Sequence, residues 1–214
     1  MKNVVNIALD IETLSKRSTA AVIYIAAKAF SLGNSRVAGE RLEFKQAVDA
    51  TSCVMLGLDI DPVTVKWWSE RPEKAKEQFS YSSKLLYVLM GLSDFIQSVK
   101  EENGAEDVVV WSQGTDFDIA ILRNAFVAAY NDRTEKHLPW SYTNVRDSRT
   151  FIHEGVRLID PTAEDPYSII PKNPGWVEHD AMSDCNQLIH NVTWVNDKLT
   201  ELLNANKPAN EPAE

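Results

Sequence analysis

Cysteine is scarce in this sequence: Cys53 and Cys185 are the only two among 214 residues, and they lie far apart. Two distant cysteines cannot build the disulfide framework of a small secreted domain, so that class is excluded. A reducing cytoplasm is the expected location. The opening stretch MKNVVNIALDIE agrees, since it lacks the basic segment, apolar core and small-residue cleavage site of a signal peptide.

Long apolar runs and an excess of positive charge are also missing. No run approaches the roughly 18–20 apolar residues that cross a membrane, so no membrane partner is expected. The chain has 22 Lys and Arg against 31 Asp and Glu, a formal net charge of −9, which argues against extended non-specific contact with a nucleic-acid backbone. An enzyme that holds a few terminal nucleotides is still compatible, because cations bound among clustered carboxylates would offset the local negative charge.

Apolar residues make up 44% of the chain, enough to fill the core of one ordinary domain over residues 1–205. The tail 206–214, NKPANEPAE, is polar and proline-bearing and is predicted to be disordered. Alternating and β-branched residues predict three strands joined by short connections, at 4–12, 20–32 and 36–46. This arrangement predicts an antiparallel meander.

Helical periodicity follows from residue 61 onward. Two short helices broken near Pro72 are expected in 61–79, and a longer helix capped by Ser82 or Ser83 in 82–103. The remaining expected elements are a buried strand at 107–112, a helix at 117–130, a strand end running into a short helix at 142–155, a four-proline loop at 159–176 and a final helix at 181–204. Strands first and then strands mixed with helices predict an α/β domain with a mixed sheet.

Two carboxylates, Asp10 and Glu12, end the first predicted strand. Residues two apart on a strand point to the same face, and the apolar residues before this pair predict a buried strand. Paired acids there repel each other and are costly to keep ionised, so a divalent cation is their natural partner. Acids without a nearby Cys or His favour magnesium or manganese over zinc. The alternative is an exposed strand end with solvated acids.

Three further candidates are weaker when each is taken alone. Asp118 follows a buried strand and a glycine-containing turn; it either points inward or only favours the helix dipole, with Asp116 as the expected N-cap. His179 and Asp184 flank the start of the final helix, where Asp180 is the expected cap. Asp184 shares the core-facing stripe of that helix, where an acid needs a partner. A histidine near a helix start is more often structural than catalytic.

Together these side chains include the groups that two-metal hydrolysis of a phosphodiester bond needs. Such chemistry needs about four carboxylates around two cations roughly 3.5–4 Å apart, which orient an attacking water and stabilise charge on the phosphate oxygens. A histidine of near-neutral pKa on a loop can take the proton from that water. The residues that fit these roles are Asp10, Glu12, Asp118, Asp184 and His179.

The order of these motifs resembles that of the DEDDh superfamily of 3′-5′ exonucleases. DIET at 10–13, FD at 117–118 and HDAMSD at 179–184 match its three motifs, and the H-x₄-D spacing separates this branch from the one with tyrosine. A narrower resemblance, through DIETLS, AVIYIAAKAF, GLDIDPVTVKWW, NVRDSRT and HDAMSD, is to the exoribonuclease-like family that includes the mycobacterial adenylate-preferring ribonuclease and many phage and prophage proteins. This resemblance implies a ribonuclease-H-like α/β fold, a five-stranded mixed sheet flanked by helices.

The resemblance also implies an activity and a role for each motif residue. Its members remove nucleoside 5′-monophosphates from the 3′ end of single-stranded RNA with two Mg²⁺ or Mn²⁺ ions. By motif, Asp10 would bridge both metals, Glu12 and Asp184 would hold the tighter one, and Asp118 would hold the second partly through water. His179 would be the general base. Related enzymes are often homodimers, so a homodimer is expected here.

Four residues are candidate substrate contacts. Thr13 and Leu14 directly follow the first motif, where related enzymes touch the terminal nucleotide. Trp67 and Trp68 are adjacent on a predicted helix and point about 100° apart, so one is expected to pack inward while the other stacks on a base, and Trp68 is taken as the stacking residue. The alternative is that both pack in the core. Arg149 either meets a phosphate or joins an ion pair.

Two rival functions stay open. The same chemistry could act on DNA in repair or phage replication, because the five catalytic candidates do not separate the polymers; that choice depends on contacts to the 2′-OH. A non-catalytic nucleic-acid-binding module is the other rival, which is disfavoured since no catalytic acid is missing. Asp116 adds an acid where many relatives carry Asn or a small residue, and its effect on incoming phosphates is open.

Overall fold

The computed structural model of the protein describes residues 3–33 and 35–205, and the side chains of all of these except 74 and 75. The predicted tail 206–214 lies outside the described residues. The strands are β1 Val4–Thr13, β2 Val22–Phe30, β3 Glu43–Ala47, β4 Asp107–Ser112 and β5 Val145–Asp147. The helices are α1 Ala50–Met55, α2 Pro62–Ser69, α3 Glu73–Lys76, α4 Leu85–Glu102, α5 Asp118–Tyr130, α6 Ser148–Ile159 and α7 Ala181–Ala205.

The five strands form one mixed sheet in the order β3-β2-β1-β4-β5. The pairs β1–β2 and β2–β3 are antiparallel, which confirms the predicted meander, whereas β1–β4 and β4–β5 are parallel. The predicted five-stranded mixed sheet is therefore confirmed, with β1 at its centre. Helices cover both faces: α4 and α5 pack on one face, and α6 and α7 pack on the other.

The third strand is shorter than its predicted range 36–46, because it begins only at Glu43. The side chain of Asn103 at the end of α4 holds both backbone groups of Ala38, accepting from its N–H at 2.8 Å and donating to its carbonyl at 2.9 Å. Gly39 follows with φ of +139°, a conformation that interrupts an extended strand. The residues before β3 therefore pair with a helix end instead of the sheet.

Alternation along β1 divides its side chains between the two faces. Val5, Ile7, Leu9 and Ile11 enter the core under α4 and α5, while Ala8 enters the core under α7. By the same alternation, the carboxylates at the end of β1 lie on the α7 face. The strand pattern thus decides which helix can share a site with these acids.

Small residues allow α7 to lie close to the sheet and to α6. The thiol of Cys185 lies 3.6 Å from the carbonyl oxygen of Ala26 on β2. On α6, a Cβ added to Gly155 would come within 2.3 Å of Val195 Cγ1, so the crossing of α6 and α7 requires glycine there. This close packing sets the first turn of α7 above the end of β1.

Two predicted helix caps are wrong. Phe117, not Asp116, is the N-cap of α5, without a side-chain cap bond. The N-cap of α4 is Lys84, and the orphan N–H of Leu85 donates to the hydroxyl of Ser52 at 2.9 Å. That hydroxyl, from α1, takes the role predicted for Ser82 or Ser83.

The predicted helix pair around Pro72 and the final helix are confirmed by α2, α3 and α7. The four-proline loop between α6 and α7 contains one 3₁₀ turn, Pro166–Ile169. No helix within the described residues is both long and apolar enough to cross a membrane.

Candidate active site

The carboxyl ends of β1 and β4 open into a cleft of about 830 Å³ that α5 and α7 flank. Parallel strands end at the same edge of a sheet, so the end of β1 lies beside the loop that leads from β4 into α5. A cleft of this volume is in the range of ligand sites. It is lined by all five predicted catalytic residues, Asp10, Glu12, Asp118, His179 and Asp184.

The acids differ in exposure. Glu12 is 9% exposed and Asp118 is 4% exposed, while Asp10 and Asp184 are half-buried. Of the two alternatives for Asp118, the inward position is the one observed, because α5 begins at this residue and its first turn faces the strand ends. Asp116, in contrast, is exposed at the rim of the same cleft.

Burial and mutual repulsion disfavour the charged forms of these acids. Burial, followed by the nearby Asp118, Glu12 and Asp184 carboxylates, raises the pKa of Asp10 well above its usual range. Burial first, and then the Asp184 and Asp118 charges, raises the pKa of Glu12 to about 9. Burial also raises the pKa of Asp118 to about 7, against hydrogen bonds and the Arg149 charge that lower it. The Arg149 charge acts on one of these carboxylates, and a divalent cation bound among them would supply further positive charge.

Asp184 is held in the first turn of α7 by the loop before it. Its Oδ1 accepts the indole N–H of Trp176 at 2.7 Å, and its Oδ2 accepts the backbone N–H of His179 at 3.0 Å. Burial raises the pKa of Asp184, and these two hydrogen bonds oppose that rise. The predicted N-cap is confirmed, since the Asp180 carboxylate accepts the N–H of Ser183 at 2.8 Å.

His179 stands on the final residues of the loop, in the left-handed region with φ of 64°. Its ring packs edge-on against Trp67, with the ring centroids 4.7 Å apart. Ligand atoms of His179, Glu12 and Asp184 all lie within 4.8 Å of one another. This group could hold a cation directly, so the histidine that was expected to act as a base also lies within reach of a ligand position.

A second pocket of about 460 Å³ adjoins the cleft and shares Glu12, His179 and Lys16 with it. Its walls are largely aromatic and aliphatic side chains from α2 and from the turn before α5. Lys16 is exposed at the boundary between the two pockets. The site therefore offers a polar compartment and an apolar compartment side by side.

The tryptophan pair is arranged in the opposite way to the assignment made from sequence. Trp68 is 6% exposed, and its indole N–H donates to the carbonyl of Thr13 at 2.9 Å, so it anchors α2 to β1. Trp67 is half-buried and lines the second pocket, with the guanidinium carbon of Arg71 4.3 Å from its ring centroid. The helical repeat indicated that the two rings point in different directions, but it did not determine which ring faces the core.

The residues after the first motif are also more internal than expected. Thr13 is 6% exposed, and its hydroxyl donates to the carbonyl of Ser15 at 2.7 Å, although it lines the second pocket. The side chain of Leu14 packs against the core on the α4 and α5 face, and its N–H donates to Ala21. These contacts hold the end of β1 in place.

Arg149, a candidate substrate contact, lines the cleft. Its guanidinium donates to the carbonyl of Gln113 at 3.2 Å and is close enough to lower the pKa of Asp118. Asp147 instead accepts the N–H groups of Thr150 at 2.7 Å and Thr115 at 3.1 Å. No salt bridge joins Arg149 to Asp147 within the described residues, although the Arg149 charge helps to lower the pKa of Asp147.

Sequence reasoning missed several residues that line the cleft. Gln187 and Asn191 lie three and seven positions after Asp184, on one face of α7, and their helical spacing could have indicated them. Their side chains join through a hydrogen bond of 3.0 Å. Trp176 lies in the irregular loop, where no periodicity or motif marks it.

Comparisons with known proteins bear on the family and on the fold. The family model described as the 3′-5′ exoribonuclease Rv2179c-like domain matches residues 5–196. No curated protein sequence matches the chain. Two crystal structures, one of SSB/exonuclease I with inhibitor CFAM and one of exonuclease I with inhibitor BCBP, are similar, with TM-scores of 0.61 and 0.59.

The likeness to exonuclease I concerns the fold. Identity is 14% in both cases, and the similarity covers 95% and 96% of this chain. It covers 44% of each exonuclease I chain, so the present chain spans less than half the length of those proteins. The predicted ribonuclease-H-like fold is confirmed by this likeness together with the five-stranded mixed sheet.

Proposed function

Because the chain belongs to the Rv2179c-like family of 3′-5′ exoribonuclease domains, we propose that it is a two-metal 3′-5′ exonuclease. Its reaction would hydrolyse the terminal phosphodiester bond of single-stranded RNA and release nucleoside 5′-monophosphates. The observation that carries the proposal is the convergence of four carboxylates and one histidine in a single cleft. These residues come from β1, α5, α7 and the loop before α7.

Mg²⁺ or Mn²⁺ is the proposed cofactor, with two ions per site. The fit rests on the donor set: carboxylate oxygens whose pKa values are raised by burial and by one another, in the absence of enough nearby positive charge. Asp10, Glu12, Asp118 and Asp184 would hold the ions. When bound, the ions would orient the attacking water and stabilise negative charge on the phosphate oxygens.

His179 is proposed as the general base that accepts the proton of the attacking water. Its side chain reaches the carboxylates that would fix that water, since its ligand atom lies within 4.8 Å of those of Glu12 and Asp184. The backbone contact from His179 to Asp184 Oδ2 ties the base to a metal-binding carboxylate. The histidine would therefore move with the site and not independently of it.

The second pocket is proposed to receive the 3′-terminal base. Trp67 offers a half-buried aromatic wall beside His179, and base–aromatic stacking suits every base. Thr13 and Trp68 line the same pocket. A supporting role is favoured for Trp68 by its indole bond to the Thr13 carbonyl and for Leu14 by its packing against the core. Arg149, which lines the cleft but not the second pocket, is proposed to meet a phosphate of the incoming strand.

RNA is the favoured polymer, and DNA is the alternative. The description of the matching family supports RNA, while the similar exonuclease I structures concern the fold only. Matched RNA and DNA oligonucleotides of one sequence, incubated with Mg²⁺ or Mn²⁺, test the choice. Chelator and Asp10→Ala controls should abolish shortening of either polymer. A binding module without catalysis is disfavoured because all five catalytic side chains reach the cleft.

A homodimer in a reducing cytoplasm is proposed as the working state. Large apolar side chains are exposed on α1, α2 and α4, including Met55 at 83%, Val63 at 73% and Tyr87 at 63%, which is consistent with a partner surface. Both cysteines are buried as thiols, in keeping with a reducing compartment. Light scattering at several protein concentrations would measure the oligomeric state, and a monomer throughout would reject the dimer.

A further inference from the structure

The backbone of His179 is held in a conformation that it would not adopt by itself. Its φ of 64° lies in the left-handed region, which is unfavourable for a residue with a Cβ and persists only where surrounding contacts impose it. The bond from its N–H to Asp184 Oδ2 fixes one side of the residue. The carbonyl on the other side needs a separate partner if the imidazole is to keep its direction.

That partner is Gln78, which precedes His179 by 101 positions. The side-chain N–H of Gln78 donates to the His179 carbonyl at 2.7 Å, and its side-chain carbonyl accepts the N–H of Ala181 at 3.2 Å. Ala181 is the first residue of α7, where backbone N–H groups lack helical partners. One amide therefore spans Asp180 and holds both the histidine backbone and the start of the helix that carries Asp184.

Gln78 is itself fixed to the centre of the sheet. It lies in the 3₁₀ turn Glu77–Phe79, and the ring of Phe79 meets Trp68 edge-on with centroids 4.9 Å apart. Trp68 donates its indole N–H to the carbonyl of Thr13, the residue after Glu12. A continuous series of contacts thus joins the loop side of the cleft to the strand that carries its first two acids.

We propose that Gln78 is a positioning residue, which sets the place of the His179 imidazole beside Glu12 and Asp184 without touching the substrate. The proposal rests on the function proposed above, in which His179 is the general base. A primary amide suits this task because it donates to a carbonyl and accepts from an N–H at once. A carboxylate at the same place could accept from Ala181 but could not donate to the His179 carbonyl.

The test is a double-mutant cycle in the RNA-shortening assay with saturating Mn²⁺. Gln78→Met keeps the length of the side chain and removes both hydrogen bonds. Its kcat should fall about 10- to 100-fold while KM changes less than about twofold, because Gln78 orients the His179 base and does not contact the substrate. In the His179→Ala background the same change should have no further effect, because the proposal assigns the influence of Gln78 on the rate to the imidazole and not to its second contact with Ala181.

Two further variants provide controls. Gln46→Met is the matched control. It removes the 2.9 Å hydrogen bond from the Gln46 side chain to the carbonyl of Tyr81, which lies three positions after Gln78, and should keep the wild-type kcat. Gln78→Glu keeps the acceptor and loses the donor, and should resemble Gln78→Met. Circular dichroism and thermal melts of each variant verify that the rates compare folded proteins.

A wild-type kcat in folded Gln78→Met, or a further loss of rate when it is added to His179→Ala, would overturn the positioning role. Equal losses of kcat in Gln46→Met and Gln78→Met would also overturn it, because a general weakening of the segment from Gln78 to Tyr81 would then be the cause. Full activity in His179→Ala alone would show that the base assignment is wrong. That outcome would remove the proposal together with its premise, and the single variants distinguish it from a failure of Gln78 alone.

Discussion

The carboxylates and the histidine of the cleft are held in two different ways. Asp10, Glu12, Asp118 and Asp184 lie on a strand and two helices, whose backbones are paired in regular structure. His179 lies on a loop with a left-handed backbone that neighbouring side chains hold in place. Changes to the acids should therefore alter charge within an intact fold, whereas changes around the histidine should alter its position. Metal binding and proton transfer should be separable by mutation.

The largest expected effect is that of Asp10→Asn on catalysis. The variant should lose about 10³-fold or more in kcat, because a side chain proposed to hold the cations would become neutral. In chelator at neutral pH it should melt higher than the wild type, since burial and neighbouring acids disfavour the charged form of Asp10. Rates of RNA shortening and thermal melts measure the two effects. Asp94→Asn, on the exposed face of α4, is the matched control. Equal rates for the wild type, Asp10→Asn and Asp94→Asn would remove Asp10 from the site.

A comparison of His179→Ala with Asp184→Asn should separate base from ligand. Loss of a general base lowers kcat about 10²- to 10⁴-fold, and the rise in melting temperature on adding Mn²⁺ should persist in His179→Ala. Asp184→Asn should lose both activity and most of that rise while keeping the fold. Thermal melts across a Mn²⁺ titration give the readout. If His179→Ala abolishes the Mn²⁺ effect, the histidine is a cation ligand, as its position beside Glu12 also allows.

The stability of the metal-depleted protein should fall as pH rises from about 5 to about 9. Burial raises the pKa of Glu12 from 4.5 to about 9, so within this window the folded state keeps a proton that the unfolded state has released. Stability decreases with pH wherever the folded state binds more protons. Urea unfolding in chelator at several pH values measures this slope. Glu12→Gln should lessen this slope, with the raised pKa values of Asp10 and Asp118 maintaining the remainder, and saturating Mg²⁺ should flatten it. A wild-type slope in Glu12→Gln would contradict the assignment.

The smallest expected catalytic effect concerns the two tryptophans. Trp67→Ala should raise KM with little change in the free energy of unfolding, because one stacked base contributes about 1–3 kcal/mol. Trp68→Ala should instead destabilise the fold by about 3–5 kcal/mol through a buried cavity and the lost bond to Thr13. Steady-state kinetics and urea unfolding of both variants test this division. A reversal of the two patterns would restore Trp68 as the stacking residue.

Local sequence patterns were sufficient for the elements that carry the acids. Alternation along 4–12 predicted both a buried first strand and the shared face of Asp10 and Glu12, because a strand's side-chain period is a property of neighbouring residues. The starts of the helices were harder to predict from the sequence. The cap of α4 is a hydroxyl on Ser52, 33 positions before Leu85, and no local pattern connects the two.

The histidine side of the cleft was the least predictable part. The spacing of His179 and Asp184 indicated the motif, but the contacts of Gln78 join residues 101 positions apart. The choice between Trp67 and Trp68 depends on how α2 docks on β1, which helix phase alone does not determine. Local patterns predicted the elements, whereas the cap partner of α4 and the orientation of the tryptophan pair depend on tertiary contacts.

Digestion of a 5′-labelled single-stranded RNA is the most direct test of the central claim. With Mg²⁺ or Mn²⁺ the label should move to shorter products one nucleotide at a time from the 3′ end, with release of nucleoside 5′-monophosphates. Chelator or the Asp10→Asn change should stop the reaction. Failure of the purified wild-type protein to shorten either RNA or a matched DNA strand with either metal would contradict the proposed function.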